Sequence, residues 1–120
     1  MTEWFDDKNI VFYACSGASD VGEIADRAAR KLRSEGIGSM SCLSGIGAKS
    51  LSLIKIAKTA DVAVVIDGCS KRCGKKIFKR NNLDSVCLGL NEFDFHKGKT
   101  PVTDKAVAKA AIQGKAKLPK

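Results

Sequence analysis

Aromatic side chains make up only 6% of these 120 residues, histidine occurs once and proline twice. So few aromatics leave no stacking platform for single-stranded nucleic acid. The lone His96 sits in a charged stretch and reads as a surface residue rather than a ligand. Two prolines with 11 glycines exclude a collagen-like or low-complexity chain. No apolar run is longer than Ile10 to Cys15, far below the roughly 20 residues that span a bilayer, so no membrane anchor is expected. The first residues, Met-Thr-Glu-Trp-Phe-Asp-Asp-Lys, lack the basic region and apolar stretch of an export signal. The expected compartment is the cytoplasm. Trp4 and Phe5 are read as a cover for an apolar edge and carry no function.

What is present is an ordinary globular composition, 44% apolar and 28% charged, in a chain long enough to bury a core without covalent staples. The formal charge of +8 is unevenly spread, because seven lysines against a single aspartate lie from His96 onward. A second basic run, Lys71, Arg72, Lys75, Lys76, Lys79 and Arg80, forms one broad helical face opposite Cys73, Ile77 and Phe78. Such a face is ordinarily solvated. Nucleic acid is therefore not the expected partner.

Periodicity alternates between strand and helix. Asn9 to Ala14 and Asp61 to Ile66 are nearly continuous β-branched and apolar runs, the pattern of strands buried on both faces. Weaker strands are expected at Gly38 to Ser41 and at Val86 to Leu90. Helices are expected between them. The first is capped by Asp20, carries Val21, Ile24, Ala25, Ala28 and Leu32 inward, and ends at Gly36. A Ser-Gly-Ile-Gly loop leads to a second, with Leu51, Ile54 and Ala57 on its apolar face, and Ser70 caps a third that runs to Asn81. Thr100, with Pro101 at the first helical position, starts a last helix that Gly114 closes. The expected fold is α/β, a single three-layer sandwich around a mostly parallel four-stranded sheet, Rossmann-like or flavodoxin-like, with a C-terminal helix. Residues 1–114 form the domain and 115–120 a basic, frayed tail.

Five cysteines, an odd number with no export signal, suit metal or redox chemistry better than a disulfide framework. Cys15, Cys42 and Cys69 recur in steps of 27 residues, about one strand plus its crossover helix. Each follows an expected strand, so parallel strands would bring all three to the carboxyl edge of the sheet, where open α/β folds bind ligands. Cys73, four residues after Cys69 in the first turn of the third helix, can reach the same edge. Four thiolates suit a tetrahedral zinc site or an iron–sulfur cluster. Helix N-termini, with Lys71 and Arg72, would offset the negative charge of such a site. Cys87 lies inside the fourth strand and reads as packing. Asp67 is read as a turn cap or as an orienting group beside Cys69.

The segments Cys15-Ser-Gly-Ala-Ser, Cys42-Leu-Ser-Gly-Ile-Gly and Ile66-Asp67-Gly68-Cys69-Ser70-Lys71-Arg72-Cys73 resemble, in the same order, the DGC domain family of prokaryotic proteins. That family takes its name from an Asp-Gly-Cys motif. Its four cysteines are proposed zinc ligands, which the resemblance places on Cys15, Cys42, Cys69 and Cys73. The expected function is that of a protein holding one metal ion in a structural, regulatory or metal-handling role, with no reaction assigned. The alternative is a thiol enzyme, by phosphotransfer on Cys15 or thiol–disulfide exchange between Cys69 and Cys73. Cys15 before a helix resembles the phosphocysteine of sugar-transport IIB domains and the nucleophile of low-molecular-weight phosphatases. The phosphatase version fails because Val21 stands where the phosphate-binding arginine belongs. Gly98-Lys99-Thr100 fails as a phosphate loop because Phe93 replaces its first glycine.

Overall fold

In the computed structural model, which describes residues 8–119, the two strongest β runs pair at the centre of one sheet. Strand β1 (Ile10–Ala14) runs parallel to β3 (Val62–Asp67), with Ile10 opposite Val62 and Ala14 opposite Ile66. The two-residue β2 (Ser39–Met40) joins the outer side of β1, and β4 (Val86–Gly89) joins β3. All pairings are parallel and the strand order is β2-β1-β3-β4. That is the flavodoxin-like order without its fifth strand, and it reverses direction between β1 and β3.

Every side chain of β1 is buried because both faces of the sheet are covered. On one face Ile10, Phe12, Val64, Ile66 and Leu88 pack against helix α1 (Asp20–Ser34) and helix α5 (Asp104–Ala116). Small residues Ala25, Ala28, Ala29, Ala110 and Ala111 belong to the same cluster and keep those two helices close to the sheet. On the other face Val11, Tyr13 and Val65 meet α2 (Leu43–Gly47), α3 (Leu51–Thr59) and α4 (Cys73–Arg80) through Leu43, Ile46, Ala57 and Phe78. Tyr13 and Phe78 touch edge to face at 4.8 Å between ring centroids. The result is the expected three-layer α/β sandwich with a C-terminal helix. Among the described residues no helix is long and apolar enough to cross a membrane.

Several local expectations give way to longer-range bonds. Ser19, not Asp20, caps α1, its Oγ accepting from Gly22 N at 3.1 Å. The Asp20 carboxylate accepts from its neighbour Val21 N at 2.8 Å and reaches across to the distant 98–100 turn, accepting from Gly98 N and Thr100 N at 2.9 and 3.0 Å. The Ser-Gly-Ile-Gly segment is not a loop but most of α2, because Leu43 and Ile46 stand one turn apart and both bury. Leu51 does not join Ala57 on the inner face of α3 and is 83% exposed. A three-residue step falls about 60° short of a full helical turn, so two such steps carry Leu51 off the buried side.

Helix α4 starts at Cys73 rather than behind Ser70, because Asp67 at the end of β3 supplies its cap. Helix α5 is capped by Thr103, whose Oγ1 accepts from Ala106 N, while Thr100 exchanges bonds with His96. That helix runs two residues past Gly114 to Ala116, and Leu118 beyond it is only 6% exposed and joins the α1 side of the core. Apolar burial thus draws in a stretch whose lysines alone suggested fraying. Trp4 and Phe5 lie outside the described residues.

Candidate metal centre

The carboxyl ends of β1, β2 and β3 lie side by side, so the segments that follow them share one rim. Cys15 extends β1 by one position, its N–H donating to Ile66 O at 3.1 Å. Its Sγ accepts from Gly68 N at 3.3 Å, which ties the first strand end to the Asp-Gly-Cys turn across the point where the sheet changes direction. This bond depends on Gly68. A Cβ there would stand 2.6 Å from the carbonyl carbon and oxygen of Val21, in the first turn of α1.

Cys69 follows and packs, with Cys15, against the edge of the core. Its carbonyl accepts from Arg72 N at 3.2 Å, closing a turn in which Arg72 takes a left-handed φ of 52°. The Arg72 guanidinium lies over Gly89, where any side chain would collide with it, and pairs with Glu92 at 3.0 Å. Cys73 then opens α4 and is exposed. Asp67 sits beneath this turn, 1% exposed, accepting from Gly74 N at 2.8 Å and Lys75 N at 3.0 Å. It is therefore the cap of α4, one of the two roles its position suggested.

Cys42 occupies the N-cap position of α2 and is exposed, its Sγ 3.0 Å from Ser44 Oγ. The Ser44 hydroxyl, helped by the N–H groups of Gly45 and Ser44, holds this thiol below the usual cysteine value. Cys15 shifts the other way. Burial pushes its thiol up, the N–H groups of Gly17 and Gly68 oppose that rise, and the charges of Asp67 and Cys69 add to it.

Two cavities meet along this rim. One of about 550 Å³ is lined by Cys15, Cys42 and Cys73, together with Arg30 and Arg33 of α1. The other, about 410 Å³, is lined by Cys15, Cys69 and Cys73, with Lys71, Arg72 and Lys97. Cys15 and Cys73 face both, so four cysteines from three strand ends share one edge. Their donor chemistry suits a soft metal, but the sulfurs do not close on a common centre. Among the described residues no three His, Cys, Asp or Glu side chains are gathered into a group that could hold a metal ion.

Cys87 is set apart, paired with Val65 inside the sheet and 3.2 Å from Ser85 Oγ, and it lines neither cavity. His96 is exposed. Ser16, Asp26, Arg30 and Arg33 were not foreseen as rim residues. On the sequence Asp26, Arg30 and Arg33 look like a charged helix face, with Asp26 and Arg30 an i,i+4 pair, and Ser16 looks like part of the loop before it.

The DGC domain profile matches residues 11–113. Over 93 residues the chain is 32% identical to the anaerobic and virulence modulator AnvM of Pseudomonas aeruginosa, covering 77% of this chain and 71% of that protein. No solved structure matches the chain. With a family match across nearly the whole fold and the Asp67-Gly68-Cys69 turn at the centre of its rim, this chain belongs to the DGC domain family.

Proposed function

We propose that the protein binds one zinc ion through Cys15, Cys42, Cys69 and Cys73 and acts in a regulatory role in the cytoplasm. The observation that carries this reading is the sharing of Cys15 and Cys73 by both cavities, which leaves Cys42 on one side and Cys69 on the other. Cys42 and Cys73 are exposed and can turn about their side-chain bonds without unpacking the core. A zinc ion with four thiolates is a closed structural centre carrying two net negative charges. Lys71, Arg72 and Lys97 along the second cavity offset that charge. Its effect would be to tie the ends of β1, β2 and β3 together, which suits a protein that presents a surface rather than one that turns over a substrate. A regulatory role also agrees with the modulator named among its relatives.

Elemental analysis of protein purified under reducing conditions tests this. About one zinc per chain is expected, lost on serine replacement of any of the four cysteines and retained in Cys87→Ser. Brown protein containing iron and sulfide would replace zinc by a cluster. Metal-free protein that refuses added zinc would overturn the reading.

One observation favours thiol chemistry instead: Cys42 is exposed and its thiol is held low. Cys15 is less suited to nucleophilic work, since burial raises its thiol. A stable phosphocysteine, or a Cys69–Cys73 disulfide in metal-free protein, would support that second reading.

A further inference from the structure

The larger rim cavity contains more than thiols. Arg30 and Arg33 project from the same side of α1 into it, three residues apart, while Asp26 is the one carboxylate in its lining. Asp26 is already engaged twice. One oxygen accepts from Ser16 Oγ at 2.8 Å and the other from Arg30 Nε at 2.8 Å. Ser16 holds a left-handed φ of 49°, a conformation that a serine adopts at a cost and that sets its hydroxyl towards α1. The chain Ser16 to Asp26 to Arg30 thus fixes the guanidinium through its Nε alone. Its two terminal nitrogens have no protein partner among the described residues, and neither does the Arg33 guanidinium. The Arg30 side chain is 57% exposed and Arg33 is exposed, so two guanidinium forks beside one engaged carboxylate are open to an anion from solution.

We propose that this cavity binds a small organic anion, its carboxylate or phosphate group held between Arg30 and Arg33. About 550 Å³ is room for a metabolite-sized molecule. Its wall supplies two kinds of surface beyond the arginines. Met40, Leu43 and Ile77 offer apolar contact for the body of the ligand, and the hydroxyls of Ser41 and Ser44 offer hydrogen bonds. The cavity also opens beside the end of β1, next to the reversal point where open parallel sheets take their ligands. Arg30 is the clamp. Ser16 is a positioning residue that acts on the ligand only through Asp26.

This inference rests on Arg30 and Arg33 rather than on zinc, although Cys15, Cys42 and Cys73 of the same wall are the proposed zinc ligands. It is therefore tested on reduced full-length protein both as purified and after metal removal, and the two can fail separately. Calorimetric titration uses inorganic phosphate, succinate and, as a neutral counterpart, succinamide. Saturable binding of phosphate or succinate at one site is expected, with none for succinamide. The stronger of the two anions identifies the ligand group as phosphate or carboxylate.

Arg30→Gln and Arg33→Gln should each weaken binding by about tenfold or more. Arg30→Lys, which keeps the charge but not the fork, should lose most of that as well. Ser16→Ala, which alters no charge, should cost a few-fold. Lys79→Gln on exposed α4 removes a charge elsewhere and should change nothing. No saturable binding, equal losses in Lys79→Gln and Arg30→Gln, or full affinity in Arg30→Lys would each overturn the proposal.

Discussion

Asp67→Ala is the substitution whose effect follows most directly from the structure. The carboxylate is 1% exposed and accepts from two of the free N–H groups in the first turn of α4, at 2.8 Å from Gly74 N and 3.0 Å from Lys75 N. Alanine removes both bonds, leaving the Gly74 donor buried and the Lys75 donor partly buried without their partner. A hydrogen bond to a charged group contributes about 1.5–3 kcal/mol, and an orphaned donor costs a comparable amount in desolvation. Favourable charge at a helix N-terminus adds roughly 0.5 kcal/mol.

Allowing for partial relaxation of the loop, the loss is about 4 kcal/mol. For a chain of this size that corresponds to a fall in Tm on the order of 15 °C. Asp67→Asn keeps one acceptor oxygen and the side-chain shape, so about half that loss is expected. Urea and thermal unfolding followed by circular dichroism measure both. Asp67→Ala falling by less than about 1 kcal/mol, or Asn proving as damaging as Ala, would refute the role of this carboxylate as the cap of α4. The consequence reaches the rim, because α4 opens with Cys73.

Gly68→Ala should destabilise the fold by about 1–3 kcal/mol, since its new Cβ meets the Val21 backbone at 2.6 Å rather than a movable side chain; equilibrium unfolding checks it. The Asp20 carboxyl is held below the usual aspartate range by the N–H groups of Gly98 and Thr100. Its folded value lies beneath its unfolded one, so its contribution is present above about pH 4 and is lost as pH falls through the depressed value. Asp20→Asn should therefore flatten the acid limb of the stability profile and loosen the 98–100 turn, as read by amide exchange. Alkylation of metal-free protein near pH 7, with peptide mapping, should modify Cys42 before Cys15, because one thiol is exposed and held low while the other is half-buried and raised. The reverse order would contradict that assignment.

Ile10 to Ala14 and Val62 to Ile66 were legible as buried strands because an unbroken β-branched run has no exposed face to hide. The 27-residue recurrence of Cys15, Cys42 and Cys69 was legible for a related reason. It is one βα repeat, and parallel strands turn that repeat into a common edge. Local pattern was enough to place the cysteines on one rim and to separate Cys87 from them.

Where the sulfurs point was not local. Cys15 Sγ is engaged by Gly68 N from 53 residues away, and Cys42 by its own turn, so the thiols divide between two adjoining cavities. Caps followed the same rule. Asp67 displaced Ser70, and Asp20, while still bonded to Val21 N, also holds a turn 78 residues on, since a carboxylate takes the donors that folding brings to it. Arg30 and Arg33 gained their place only when α1 packed beside β1 and β2. Strand identity and cysteine spacing are properties of short-range periodicity and belong to the sequence. Partner choice among polar groups is settled by distances across the chain, which tertiary packing alone defines.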